Sequence, residues 1–227
     1  MKTQLLMATV ASGLLAGGSA QAAIVFADDF NDLDGTAIDG KAADVGGPWS
    51  ETGGAVVNGG IVDTQGAART AFADFTSALG AGEVLTLTYD AAETGGNFFD
   101  GFAGVSLFIG GTERIFIGHP NFSGSWGVDG GAIGGVVTTG NTAEDNTAVF
   151  TYAYDTGDWT FSLSTGENIS GTAAAGEAYD RLRFANGNNG DLAIDSLQVD
   201  IDAVPEPGSL ALLGLGGLAL LRRRRTA

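Results

Sequence analysis

At 227 residues the chain has room for one domain of ordinary size plus terminal segments. A formal charge of −17 and the absence of cysteine exclude disulfide scaffolds, thiolate zinc sites and electrostatic attraction to nucleic acid. The 38 glycines are more than double the usual share of about 7%, which predicts many tight turns between short elements.

The chain opens with Met1-Lys2, an apolar run over residues 5–18, and Ala20-Gln21-Ala22 in a small-x-small pattern. That order predicts a signal peptide over residues 1–22, cut after Ala22 by signal peptidase once the secretion machinery has engaged it. Residues 23–203 follow as a single ectodomain. They hold 26 of the 27 acidic residues but only five basic ones, Lys41, Arg69, Arg114, Arg181 and Arg183, for a net charge near −21. Such a field favours solubility, repels nucleic acid and anionic membranes, and attracts divalent cations.

Within that span the hydrophobic pattern has period two. Residues 84–89 alternate. Residues 105–109 and 113–118 flank Gly110-Gly111-Thr112 and read as a hairpin. Residues 147–154 and 159–164 flank Asp155-Thr156-Gly157-Asp158 and read as a second one, with Trp159 on the apolar side. Residues 181–184 alternate again. Near the end the parity slips, since Leu192 and Ile194 share one face while Leu197, Val199 and Ile201 share the other. That slip predicts a β-bulge at Asp195-Ser196. Residues 67–79 have room for a helical turn or two at most. Ten or more short strands predict an all-β fold, an antiparallel β-sandwich.

The tail is tripartite: Val204-Pro205-Glu206-Pro207-Gly208, an apolar run at residues 209–221, and Arg222-Arg223-Arg224-Arg225. Proline on both sides holds Glu206 on an extended segment. Thirteen apolar residues make roughly 20 Å of helix, short of a hydrocarbon core of roughly 30 Å. A transmembrane helix of that length spans the inner membrane only with help from snorkelling flanks. The four arginines place its end in the cytoplasm.

In order and spacing, residues 204–227 resemble the PEP-CTERM sorting signal. The resemblance implies processing near Pro205, Glu206 and Pro207 by an exosortase, a membrane enzyme similar to cysteine proteases. It further implies an inner-membrane intermediate followed by release to the cell surface, in the manner of biofilm and exopolysaccharide proteins. A second resemblance rests on Phe26-Ala27-Asp28-Asp29-Phe30-Asn31, Asp34-Gly35-Thr36, Asp44-Val45-Gly46-Gly47-Pro48-Trp49, Ile115 to Gly118, Trp126-Gly127-Val128 and Ala193-Ile194-Asp195-Ser196-Leu197. These segments are similar to concanavalin A-like (LamG-like) jelly-roll modules. That implies two curved sheets with the first and last strands as neighbours.

Such modules often hold a structural calcium between those two strands. Asp28 or Asp29 with Asp195, Asp200 or Asp202 would supply the carboxylates, solvated surface acids being the alternative. Lectin-like sites stack a sugar on an aromatic plane. Trp126, in the loop-like Ser123-Gly124-Ser125-Trp126-Gly127, and Trp49, after Gly-Gly-Pro, are the candidate glycan contacts. Burial in the core is the alternative for both, and core is the expected place for Trp159.

Catalytic signals are missing. No glutamate starts a Glu-x-Asp-x-x-Glu strand, no Gly-x-Ser-x-Gly elbow occurs, and His119, the single histidine, lies beside Pro120 at a loop with no nucleophile near it. The leading expectation is therefore a non-catalytic structural or adhesive protein of the exopolysaccharide matrix. A carbohydrate-binding lectin-like module is the alternative, and a glycoside hydrolase with an unrecognised site the more distant one.

Overall fold

The computed structural model describes residues 22–64, 67–93, 98–121 and 123–204. Among the described residues fifteen strands form two antiparallel sheets, and there is no helix. The first sheet runs in the order β13 (Asn168–Thr172), β12 (Asp158–Leu163), β11 (Asn146–Ala153), β6 (Glu83–Ala92), β15 (Ala193–Ala203), β4 (Ile61–Asp63), β3 (Val56–Asn58), and β1 (Ala23–Asp28) also pairs with β15. The second runs β10 (Val137–Thr138), β9 (Gly127–Asp129), β8 (Thr112–His119), β7 (Phe102–Ile109), β14 (Arg181–Gly187), β5 (Arg69–Asp74), β2 (Ser50–Thr52). This is the expected jelly-roll sandwich, with first and last strands adjacent: Ala23 pairs with Ile201 and Asp28 with Leu197.

The alternation seen in the sequence sets what each sheet buries. Leu85, Leu87 and Tyr89 of β6, Phe150 and Tyr152 of β11, Trp159 and Phe161 of β12, and Leu197 and Val199 of β15 face inward from the first sheet. Val105 and Leu107 of β7, Ile115 and Ile117 of β8, and Leu182 and Phe184 of β14 meet them from the second. Each large side chain removed from water contributes roughly 1.5–3 kcal/mol. Tyr89 also crosses the gap with a hydrogen bond, donating from its hydroxyl to the Ile117 carbonyl at 3.1 Å.

Both predicted hairpins are present, β7 with β8 and β11 with β12. The parity slip is a bulge: Ile194 opposes Ala91 and Ser196 opposes Asp90, so Asp195 is the extra residue. Residues 67–79 differ from expectation. Arg69–Asp74 is a full strand, because β14 and β2 offer it a ladder on each side. His119 is also not in a loop. It ends β8 with its ring fully buried, and its Nε2 accepts from the Gly124 N–H at 2.9 Å.

Candidate functional site

The outward face of the second sheet carries one continuous row of side chains. Ser50 opposes Phe72, Phe72 opposes Arg183, Arg183 opposes Ser106, Ser106 opposes Phe116, and Phe116 opposes Asp129. Each has the parity opposite to its core-facing neighbours, so all six stand on one side of β2, β5, β14, β7, β8 and β9. At about 4.8 Å per strand the row is about 24 Å long.

Beside it runs a second row with almost no side chains: Ala185, Gly104, Gly118, Gly127. A Cβ at Gly104 would lie 3.0 Å from Phe116 Cζ, and one at Gly187 2.6 Å from Phe102 Cε1. The rings of Phe116 and Phe102 therefore lie over the glycine backbone, edge to face with each other at 6.2 Å. The same two rings line a cavity of about 430 Å³. Its walls are Phe102, Phe116, Glu113, Asp129, Asn121 and Arg183. That volume falls within the roughly 300–1,000 Å³ usual for ligand clefts. A separate, smaller one of about 130 Å³, bounded by Ser50, Phe72, Asp74 and Arg181, lies farther along the row toward β2.

Arg183 stands between the two. Its guanidinium lies 5.9 Å from the Phe72 ring centre and 5.2 Å from that of Phe108. Nη2 donates to Glu113 Oε1 at 2.9 Å and to Ser106 Oγ at 3.0 Å, and Ser106 donates in turn to the same oxygen at 2.8 Å. Arg183 Nε is buried without a partner among the described residues. Stacking on two rings plus a carboxylate holds the guanidinium in one orientation. Asp129 is different: its Oδ1 accepts from the Gly130 N–H at 2.7 Å, and no cation pairs with it among the described residues.

Among the described residues, none of the site residues expected from sequence lies here. Trp126 is fully buried between Phe98 and Phe161, its Nε1 donating to the Ala143 carbonyl at 2.6 Å. Trp49 is 1% exposed, ringed by Phe26, Phe30 and Phe184, and its Nε1 donates to Asp28 Oδ2 at 2.6 Å. Neither tryptophan offers a face to a sugar. Trp159 is in the core, as expected.

Of the expected calcium set, Asp28 and Asp29 come together, whereas Asp195 and Asp200 are not in their group. Asp195 is the exposed bulge residue, and Asp200 accepts from Gln198 Nε2 at 2.7 Å. The carboxylates that do converge are Asp28, Asp29 and Asp44, with ligand atoms within 4.8 Å of one another. They do not fit a calcium ion. Both oxygens of Asp28 already accept from Lys41 Nζ at 2.8 Å, Oδ1 also takes the Phe30 N–H, and Oδ2 the Trp49 indole. Lys41 Nζ further reaches Asp32 at 2.9 Å, so an ammonium group already neutralises the buried member of the three. Burial alone would lower the lysine pKa, but hydrogen bonds and charges from Asp28 and Asp32 outweigh it and leave it raised.

Phe72, Phe102, Phe116, Arg183, Glu113 and Asp129 were not singled out by sequence reasoning. One signal was available: Phe72 and Phe116 carry the solvent-side parity of their strands, where a polar residue is the norm.

The C-terminal boundary is equally defined. β15 ends at Ala203, and Val204 N–H donates to the Gly82 carbonyl at 2.7 Å. Residues 203–225 match the PEP-CTERM protein-sorting motif. The tail is a PEP-CTERM sorting signal. The motif marks an exported protein processed by an exosortase. Pro205, Glu206, Pro207, the apolar run at 209–221 and Arg222 to Arg225 lie outside the described residues, as does the expected signal peptide apart from Ala22. Among the described residues no helix is long and apolar enough to cross a membrane.

No curated protein matches this chain. Its sandwich is similar to solved structures at low identity. The Streptomyces sioyaensis endo-1,3-beta-glucanase is 11% identical over 80% of this chain and 97% of its own, with a TM-score of 0.49. The T. cruzi calreticulin globular domain is 10% identical over 88% and 95%, with a TM-score of 0.46. The VIP36 exoplasmic/lumenal domain in its Ca2+/Man-bound form is 12% identical over 67% and 82%, with a TM-score of 0.43.

Proposed function

We propose that this exported, PEP-CTERM-tagged protein is a non-enzymatic adhesive component of the extracellular matrix that binds polysaccharide through the groove on its second sheet. The single observation supporting this is the alignment of two depressions along one side-chain row about 24 Å long. Two depressions in line along such a row suit a chain of sugars better than one small molecule. Phe102 and Phe116 supply apolar surface for ring C–H faces, while Asn121, Glu113 and Asp129 supply partners for hydroxyls. Glu113 is tied to Arg183 and Ser106, which suits a fixed hydrogen-bond acceptor better than a proton donor.

Retention of the full chain on a panel of immobilised polysaccharides tests this, with Phe116→Ser as the groove variant and release of reducing ends as a second readout. The expected result is retention of the native chain, loss in Phe116→Ser at unchanged circular dichroism, and no sugar release. Retention of no polysaccharide overturns the reading. Release of reducing ends replaces it with hydrolysis.

A further inference from the structure

We infer that the polysaccharide accepted by this groove carries free, protonated amino groups, as a de-N-acetylated hexosamine polymer does; this rests on the groove being a polysaccharide site. The argument is electrostatic and begins with the cations. Residues 23–203 contain five basic side chains. Four are committed to acids: Lys41 to Asp28 and Asp32, Arg114 to Glu177, Arg181 to Asp74, and Arg183 to Glu113. The fifth, Arg69, lies against Gly53 and is not among the residues that line the groove. No uncommitted cation therefore remains in the groove to receive a uronate or a sulfate ester.

The anions are not balanced in the same way. Arg183 spends its charge on Glu113, which leaves Asp129 uncompensated at the end of the row where the larger cavity lies. Oδ1 of Asp129 is held by the Gly130 N–H, so Oδ2 is the oxygen left to a ligand. Around it stands a domain of 26 acidic and five basic residues, whose field repels polyanions over a Debye length and draws in cations. A protonated amine donates to a carboxylate at about 2.7–2.9 Å and gains roughly twice a neutral hydrogen bond. An amino sugar combines that ammonium with a C–H face on the same ring, which matches a carboxylate standing beside the Phe116 and Phe102 rings.

The test titrates the full chain with three short oligosaccharides of equal length: a glucosamine oligomer, its N-acetylated form and a uronate oligomer. Two variants with the same charge change are compared, Asp129→Asn in the groove and Asp200→Asn on the opposite sheet. The glucosamine oligomer is expected to bind about tenfold or more tighter than the N-acetylated one, with loss of that preference in Asp129→Asn and its retention in Asp200→Asn. Equal affinity for both hexosamine oligomers, or preference for the uronate, overturns the inference while leaving polysaccharide binding in place. Equal loss in the two variants also overturns it, since attraction would then come from bulk charge. Binding of none of the three, alongside retention on another polysaccharide, refutes the amino-sugar assignment alone; retention on none refutes both readings.

Discussion

Lys41 Nζ lies 2.8 Å from each carboxylate oxygen of Asp28, and the two side chains are 6% and 0% exposed. A buried carboxylate at the end of the first strand is thereby neutralised from within the chain. The same carboxylate takes the Trp49 indole and the Phe30 amide, so one ion pair fixes β1, the turn after it and the tryptophan that anchors three phenylalanines.

Removing the cation leaves that carboxylate buried and unpaired. Lys41→Met is expected to lower stability by about 3–5 kcal/mol, read as a fall in the urea midpoint. Adding Asp28→Asn should recover part of the loss. With the lysine pKa raised, the pair's contribution is complete below the ordinary value of 10.5 and fades as pH climbs past the raised one.

Calcium should add nothing to that site. Thermal midpoints with excess calcium and with EDTA are expected to coincide, because every Asp28 oxygen is already engaged by Lys41, Trp49 or Phe30. A midpoint that rises with calcium would mean a cation displaces the ammonium.

Gly118 has φ +145, and a Cβ there would lie 2.3 Å from the Ala103 carbonyl oxygen on the neighbouring strand. The clash is with ladder backbone, which has no rotamer to change. Gly118→Ala is expected to cost roughly 1–3 kcal/mol or more in a denaturation curve. Gly140→Ala, with φ +82 and nothing within 4 Å, separates backbone strain from the clash and should cost less.

Burial is the largest influence on His119 and holds it below its ordinary 6.5, against the opposing pull of the Phe98 and Gly101 carbonyls and the Asp100 charge. Below pH 6.5 the unfolded chain therefore takes up a proton that the folded one resists. Its stabilising contribution is complete above 6.5 and is lost as pH falls through the depressed value. Replacing it with Gln should flatten the stability profile between pH 7 and pH 5, measured by denaturant titration.

Mass spectrometry of the exported protein should find a first residue of Ala23 and no Arg222 to Arg225. Recovery of the four arginines would instead make the tail a retained anchor.

Local pairing was the legible part. The hairpins at β7–β8 and β11–β12 and the Asp195 bulge are written in period-two parity, which a single strand displays by itself. Residues 69–74 lacked that clarity, since their strand is imposed by β14 and β2 rather than by propensity. Trp126 had the glycine and serine surroundings of an exposed loop. Its burial depends on Phe98, Phe161 and the Ala143 carbonyl, contacts that spacing does not reveal. The groove was harder still. Phe72, Arg183 and Phe116 become neighbours only through sheet order, and none belongs to a motif.

Ala23 and Ile201 are cross-strand partners, so both ends of the domain emerge at one pole. A tether fixed at the C-terminal end pulls on β15, which is hydrogen-bonded along one flank to β6 and along the other to β1 and β4. Tension along that strand acts in shear against both neighbouring ladders at once instead of unzipping a single edge. Resistance to such a load is set by the rate of unfolding rather than by equilibrium stability.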